Sequence, residues 1–475
     1  MNKSITRLYV VVIGLFALLI GFTSNWTVFG AEPLRDNAKN RRELLEQQRI
    51  RRGVIRADDG KLLARSLRRG DETYSRTYPE DGLFAHAVGY SFTTFGRAGL
   101  EQSRNDALTG TSNELGTLFD RLSGAEPEGD DVRTTLDPAA QRAAIQGLNG
   151  RKGAVVALDP ETGAVKVMAS VPAYDPNDLG RPGRFTRLNR DENAPLLNRA
   201  TQAGYPPGST FKVVTAIAAM DSGRYTPDSR VSGRNLKPIS GVPLRNFDAE
   251  SFGQITLTEA LTNSVNTAWA EVGEKLGKRR MSEYMDRLGF GRQVQVDLPS
   301  NERRASGEFQ NGRLLPTTSG AVDVGRMAIG QDKLNVTPLQ MAMVASAVAN
   351  RGRLMEPHIT DRIVDRDGRT VDRIQPRELS RVMSERAAGQ VADMMANVVR
   401  EGSGTAAALE GIDVAGKTGT AEVDRPCGPN QGWFIAFAPR TNPKVAVAAT
   451  VECTEGTGGV VAAPIAKQVM QELLR

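Results

Sequence analysis

Ser209 and Lys212 stand three residues apart in Tyr205-Pro-Pro-Gly-Ser-Thr-Phe-Lys212, directly ahead of the apolar run Val213-Val-Thr-Ala-Ile-Ala-Ala-Met220. Proline and glycine interrupt the chain just before Ser209, so the run after it reads as a buried helix whose first turn begins at the serine. Residues three apart share a helix face, which points the Ser209 hydroxyl and the Lys212 ammonium into one space beside the positive end of the helix dipole. A serine becomes a good nucleophile only with a nearby base that is neutral at working pH. Lys212 can serve if its reference pKa of about 10.4 falls by about 3 units, which burial and a second cation can together supply. Taken alone the pattern is weak, because an N-cap serine followed by a snorkelling lysine has the same spelling.

Two further pieces follow in order. Ser264-Val-Asn266 lies between the helical runs Leu257–Thr262 and Thr267–Leu276, a loop position from which a second hydroxyl and an amide can face the first serine. Lys417-Thr-Gly419 opens an extended segment, Val414–Val423. A competing motif overlaps it, since Gly411-Ile-Asp-Val-Ala-Gly-Lys-Thr418 spells the phosphate-binding P-loop. A P-loop needs a strand before its first glycine and a helix directly after the threonine. Here Thr405–Glu410 is alanine-rich and helix-like, and Gly419-Thr-Ala-Glu-Val423 runs into Pro426, Gly428 and Pro429, so the context is wrong on both sides.

The 475-residue chain is 24% charged and 40% hydrophobic, enough apolar mass for two or three domains with a large core, which excludes a disordered or fibrous protein. Its formal charge of +6 includes Lys3 and Arg7 ahead of the first apolar run, and the remainder is too mildly basic to argue for nucleic acid. The only histidines are His86 and His358 and the only cysteines Cys427 and Cys453. A zinc site is therefore not expected, and a Ser-His-Asp triad would have to use one of two isolated histidines.

Residues 1–7 form a short basic tail, and from Leu8 to Ala31 the chain carries no charge, opening with the apolar stretch Leu8–Phe22. That fits a single-pass anchor over residues 8–30 in the cytoplasmic membrane, with everything beyond it extracytoplasmic and without an ATP supply. A cleaved signal peptide is the competing reading, against which stands bulky Phe29 three residues upstream of a cut before Glu32. Arg41, Arg42, Arg49, Arg51, Arg52 and Arg56, mixed with Glu43 and Glu46, read as a polar helix that either touches anionic lipid or wall polymer or simply faces solvent.

Residues 31–131 make a smaller, irregular N-terminal module, rich in Gly, Arg and Asp between 52 and 130 and without a strong helical period. The turn-rich stretch Ser123–Asp131 marks a boundary, and the large domain spans 132–475. It opens with a predicted hairpin, Ala154–Leu158 and Val165–Ala169, and closes with predicted strands Trp433–Ala438 and Val445–Glu452 and a short helix around Met470. Long alanine-rich amphipathic segments run over Phe211–Met220, Leu257–Leu276 (interrupted at Ser264-Val-Asn266), Thr337–Asn350 and Ser384–Val399. The expected fold class is α+β, with an antiparallel sheet assembled from both ends of the domain around a helical insert.

On these motifs the sequence resembles the class B penicillin-binding proteins, the monofunctional peptidoglycan D,D-transpeptidases, over nearly its whole length. Arg52-Gly-Val-Ile55, Asp59-Gly60, Leu63-Ala64, Gly99-Leu-Glu101 and Leu108-Thr-Gly110 are similar to that class's N-terminal dimerisation or pedestal module. Asn198-Arg-Ala200, Gly330-Gln331, Thr337-Pro-Leu-Gln340, Ala349-Asn350 and Gly416-Lys-Thr-Gly-Thr-Ala421 are similar to its serine transpeptidase/β-lactamase-like domain. Val265 stands where the class A β-lactamase triplet has aspartate, which favours the penicillin-binding branch.

The resemblance implies that Ser209 attacks the carbonyl between the last two D-alanines of a peptidoglycan stem peptide while Lys212 takes its proton. Ser264 would relay that proton to the departing D-alanine, with Lys417 orienting Ser264 and repelling charge from Lys212. Asn266 would bind the acyl chain's amide, Thr418 and Thr420 the terminal carboxylate, and Gly419 would leave room for the substrate backbone along an edge strand. Backbone N–H groups of Ser209 and Thr420 would form the oxyanion hole. A second stem peptide's amine then takes the acyl group, with no cofactor or metal, and β-lactams acylate the same serine. The sequence has no room for a polymerising domain, so the resemblance also implies a separate membrane polymerase of lipid-linked peptidoglycan precursor as partner. A penicillin-hydrolysing or penicillin-sensing protein of the same fold, and a non-enzymatic scaffold of the wall-growth machinery, are the rival readings. If the strands from Trp433 and Val445 form a hairpin, Cys427 and Cys453 lie at the same end of it, where either a disulfide or two separate thiols fits.

Overall fold

The computed structural model describes residues 3–24, 47–70, 72–111, 128–423 and 428–475. Arg41, Arg42, Glu43, Glu46, Cys427 and the greater part of the Ser123–Asp131 turn lie outside the described residues. Lys3–Ser24 is a helix of 22 residues whose Arg7–Ser24 stretch, with a mean hydropathy of 2.0, is long and apolar enough to cross a membrane.

The large domain is built on short apolar strands drawn from its two ends. Gly153–Leu158 (β1) and Val165–Val171 (β2) form the expected hairpin. Ala415–Glu422 (β3), Asn430–Ala438 (β4) and Val445–Thr454 (β5) complete an antiparallel sheet in the order β3-β4-β5-β1-β2, which leaves β3 at an edge. The helices that matter for the site are, in chain order, Pro138–Leu148 (α1), Lys212–Asp221 (α2), Leu257–Thr262 (α3), Asn266–Leu276 (α4), Pro338–Ala349 (α5), Glu385–Arg400 (α6) and Ala463–Leu473 (α7). Thr337 and Ser384 cap α5 and α6 by accepting from the Gln340 and Ala387 backbone N–H groups.

Side chains alternate across the sheet. Val155, Ala157, Phe434, Ala436 and Val447 pack with α1 and α7, whereas Val156, Ile435, Phe437 and Ala448 join the core formed by α2, α5 and α6. Lys417 and Thr418 lie inside β3 rather than at the start of a helix, which removes the P-loop reading. The stretch before it, expected to be helix-like, holds only the short 3-10 turn Thr405–Ala407.

The N-terminal module is more regular than its composition predicts. A second sheet runs in the order Thr370–Arg373, Thr360–Val364, Asp131–Thr134, Ile55–Arg56, Leu62–Arg68, Tyr74–Thr77. Asp131–Thr134 pairs parallel with Ile55–Arg56 and antiparallel with Thr360–Val364, so hydrogen bonds bridge the boundary placed at 131/132. These strands are short, and two come from far along the chain, a pairing that no local period reveals.

Two of the module's motifs meet in its interior. Glu101 is fully buried and accepts from Arg52 Nη2 at 2.8 Å and from Arg76 Nε at 2.5 Å. Burial pushes the Glu101 carboxyl up, but the Arg76 and Arg52 guanidiniums outweigh it and hold the group below its ordinary value. Removing one partner of such a cluster leaves buried charge uncompensated. Glu101→Gln is expected to lower stability by about 3 kcal/mol or more in urea denaturation; a loss under about 1 kcal/mol would contradict this role.

Candidate active site

Pro206, Pro207 and Gly208 lead the chain into a 3-10 turn, Gly208–Phe211, that continues into α2 at Lys212. Gly208 has φ +52°, and a Cβ there would meet the Thr420 carbonyl oxygen at 2.6 Å, so the turn lies against β3 and requires glycine. Trp433 of β4 ties down the same turn by donating its indole N–H to the Pro206 carbonyl at 2.9 Å. Ser209 is half-buried at this junction.

Lys212 Nζ lies 2.9 Å from Ser209 Oγ, as the shared helix face predicts. It lies 2.6 Å from the Ser264 carbonyl oxygen, 3.2 Å from Ser264 Oγ and 2.7 Å from Asn266 Oδ1. Ser264 occupies the turn between α3 and α4 at φ +56°, a left-handed conformation uncommon for serine, and presents both its oxygens to the lysine. From β3, Lys417 Nζ donates to Ser264 Oγ at 3.0 Å, and it also contacts the Thr418 carbonyl at 3.0 Å and Thr418 Oγ1 at 3.3 Å. Ser209, Lys212, Ser264 and Lys417 are thus joined in one hydrogen-bonded chain.

Both lysines are fully buried, and these hydrogen-bond partners are all neutral oxygens. Burial pushes Lys212 well below the ordinary lysine value, with a lesser push from Lys417, and burial pushes Lys417 down to about 7. Desolvation therefore does more than the second cation to keep Lys212 neutral. A neutral amine has two N–H bonds and one lone pair. The Ser264 carbonyl and Asn266 Oδ1 accept the two hydrogens, leaving the lone pair for the Ser209 proton. Asn266 Nδ2 donates to the Arg245 carbonyl at 3.0 Å, which fixes the amide's orientation.

Lys417 also couples stability to pH. The folded state releases its proton near pH 7 and the unfolded state keeps it up to 10.5, so the unfolding free energy gains up to about 1 kcal/mol per pH unit across that window. In urea denaturation Lys417→Met is expected to show a shallower rise than the wild type over this range. Parallel curves would mean that Lys417 does not titrate there.

The remaining expected residues also line β3. Thr418 is buried, while Thr420 is half-buried and its Oγ1 accepts from the Gly458 N–H at 3.1 Å. Gly419 needs correction: a Cβ there would meet the Pro207 carbonyl at 2.7 Å and Thr210 Cγ2 at 2.8 Å, so its space is taken by the serine turn and not by an approaching peptide. Cys453 is disulfide-bonded at the far end of β5; Cys427 is outside the described residues. His86 is buried, bonded to the Pro195 carbonyl and pushed down to about 4 by burial, and neither His86 nor His358 reaches the site.

Sequence reasoning missed two supports. Asn246, 5% exposed, donates to the Gly233 and Glu250 carbonyls and accepts from the Thr267 N–H and hydroxyl, pinning the start of α4 that carries Asn266. Glu452 accepts from Arg199 Nε at 2.8 Å and from the Tyr205 hydroxyl at 2.5 Å, tying β5 to the segment before Ser209. A lone asparagine and a strand-end glutamate carry no spacing signal.

Residues 153–471 match the family described as the penicillin binding protein transpeptidase domain, and residues 52–132 match the penicillin binding protein A dimerisation domain. The chain belongs to the class B penicillin-binding proteins. Among this class, the peptidoglycan D,D-transpeptidase PbpA of Mycolicibacterium smegmatis is 35% identical over 100% of this chain and 99% of its own. PbpA of Mycobacterium tuberculosis is 33% identical over the same shares. Penicillin-binding protein A of M. tuberculosis, solved as a ceftriaxone acyl-enzyme, superposes with a TM-score of 0.83 at 31% identity, covering 91% of this chain and 100% of that one.

Proposed function

We propose that this penicillin-binding protein is a peptidoglycan D,D-transpeptidase acting through an acyl-enzyme on Ser209. The observation that carries the reading is the 2.9 Å contact between Ser209 Oγ and the buried Lys212 amine, whose two hydrogens are claimed by carbonyl oxygens. Ser209 Oγ bonds to the penultimate D-alanine carbonyl carbon as its proton passes to Lys212. The bond to the terminal D-alanine then breaks, and Ser264, between the two lysines, gives its proton to the departing amine and takes the one held by Lys212. An acceptor stem peptide's amine attacks the ester carbonyl, the bond to Ser209 Oγ breaks, and a proton lost by the attacking amine restores the Ser209 hydroxyl. Gly208 and Thr420 lie in direct apposition, which supports an oxyanion hole from the Ser209 and Thr420 N–H groups.

The Lys3–Ser24 helix anchors the protein in the cytoplasmic membrane with the catalytic domain outside, and a separate membrane polymerase supplies the glycan strands. The test supplies a D-Ala-D-Ala donor peptide and an acceptor amine to purified protein. Cross-linked product from the wild type and none from Ser209→Ala is expected; D-alanine release or penicillin turnover without any cross-link would contradict the transpeptidase reading.

A further inference from the structure

The loop after α6 reads Glu401-Gly-Ser-Gly-Thr405, a segment that no motif above includes. Its Ser403 Oγ lies 2.6 Å from Thr418 Oγ1, and Ser403 is exposed whereas Thr418 is 6% exposed. The loop is held by contacts on both sides. A Cβ on Gly402 would meet the Thr262 carbonyl, at the end of α3, at 2.5 Å, and one on Gly459 would meet the Ser403 carbonyl at 2.5 Å. Gly404 N–H donates to the Val398 carbonyl at 2.9 Å. Ser403 is therefore an exposed residue on a fixed backbone whose hydroxyl meets the lysine-threonine-glycine strand.

Either hydroxyl can donate across the Ser403–Thr418 contact, and donor counts give the consequence when Ser403 does. A threonine hydroxyl has one proton and two lone pairs. Lys417 Nζ can donate to Thr418 Oγ1 at 3.3 Å, and a second donor from Ser403 fills the other lone pair. The Thr418 proton is then left to donate away from both. Thr420 Oγ1 accepts from the Gly458 N–H at 3.1 Å, which leaves its proton to donate as well.

We propose that Ser403 is a positioning residue of the substrate-carboxylate subsite: by donating to Thr418 Oγ1 it turns the Thr418 proton toward the terminal carboxylate of the D-Ala-D-Ala donor or of a β-lactam. This rests on the transpeptidase reading and adds a residue that its motifs do not contain. The role predicts an effect confined to ligands that carry the carboxylate, because a misdirected hydroxyl weakens only the bond it makes.

The test compares acylation by penicillin G and by its methyl ester in the wild type, Ser403→Ala and Ser403→Thr. Ser403→Ala is expected to slow penicillin G acylation by about tenfold and the ester by less than about twofold, and Ser403→Thr, which keeps the hydroxyl, restores the wild-type preference for the free acid. Equal slowing of both ligands would make Ser403 a structural residue, and no slowing of either would remove it from the site; both overturn the proposal. A wild-type protein that penicillin G does not acylate overturns the enzyme reading itself, a result distinguishable from either.

Discussion

Ser209→Ala is expected to abolish covalent labelling by penicillin and to lower D-Ala-D-Ala peptide turnover by about 10⁵-fold or more. The size follows from the proposed chemistry: Ser209 Oγ forms the bond to the acyl group, and the Ser264 hydroxyl accepts from Lys417 Nζ at 3.0 Å with Lys212 Nζ 3.2 Å away. Ser209 is half-buried in a turn fixed by Gly208 and Trp433, so losing one oxygen is not expected to unfold the protein. Thermal melting of the variant checks this, and a Tm within a few degrees of the wild type separates lost chemistry from lost fold. Labelling at the wild-type rate would show that another residue is the nucleophile.

Lys212 carries the second large effect. Lys212→Met keeps an unbranched side chain in the same buried slot and removes the base, and acylation is expected to slow by about 10²–10⁴-fold. The pH profile gives the sign. Protonated Lys212 cannot accept the Ser209 proton, so the rate falls as pH drops through the Lys212 pKa. Because burial, then Lys417, pushes that pKa well below 10.5, the rate reaches its plateau well before that pH. Asn266→Asp puts a carboxylate where Oδ1 now sits 2.7 Å from the amine, favours the charged form and moves the acid limb to higher pH by about 1–3 units. An unmoved limb would mean that Lys212 is not the group that titrates.

Much of this site was legible because its parts are local. The turn before Ser209, the spacing to Lys212 and the break between two helical runs at Ser264-Val-Asn266 each declare themselves within a few residues. The sheet from both ends of the domain was legible too, since its strands are apolar runs bounded by Pro and Gly turns. What stayed hidden depends on residues distant in sequence. Gly419 reads as room for a ligand until Pro207 and Thr210 are seen against it. Asn246, Glu452 and Ser403 lie in no spaced pattern, and each matters through one surface presented by another element. The N-terminal module looked irregular because its sheet borrows Thr360–Val364 and Thr370–Arg373 from the large domain.

The central claim is that Ser209 is the residue acylated. The most direct measurement is mass spectrometry of the protein after reaction with penicillin G, with the adduct located by fragmenting the tryptic peptide Ala200–Lys212. One adduct per chain on Ser209 is the result predicted here. An adduct on Ser264, or cross-linking activity with no adduct on this peptide, would contradict it.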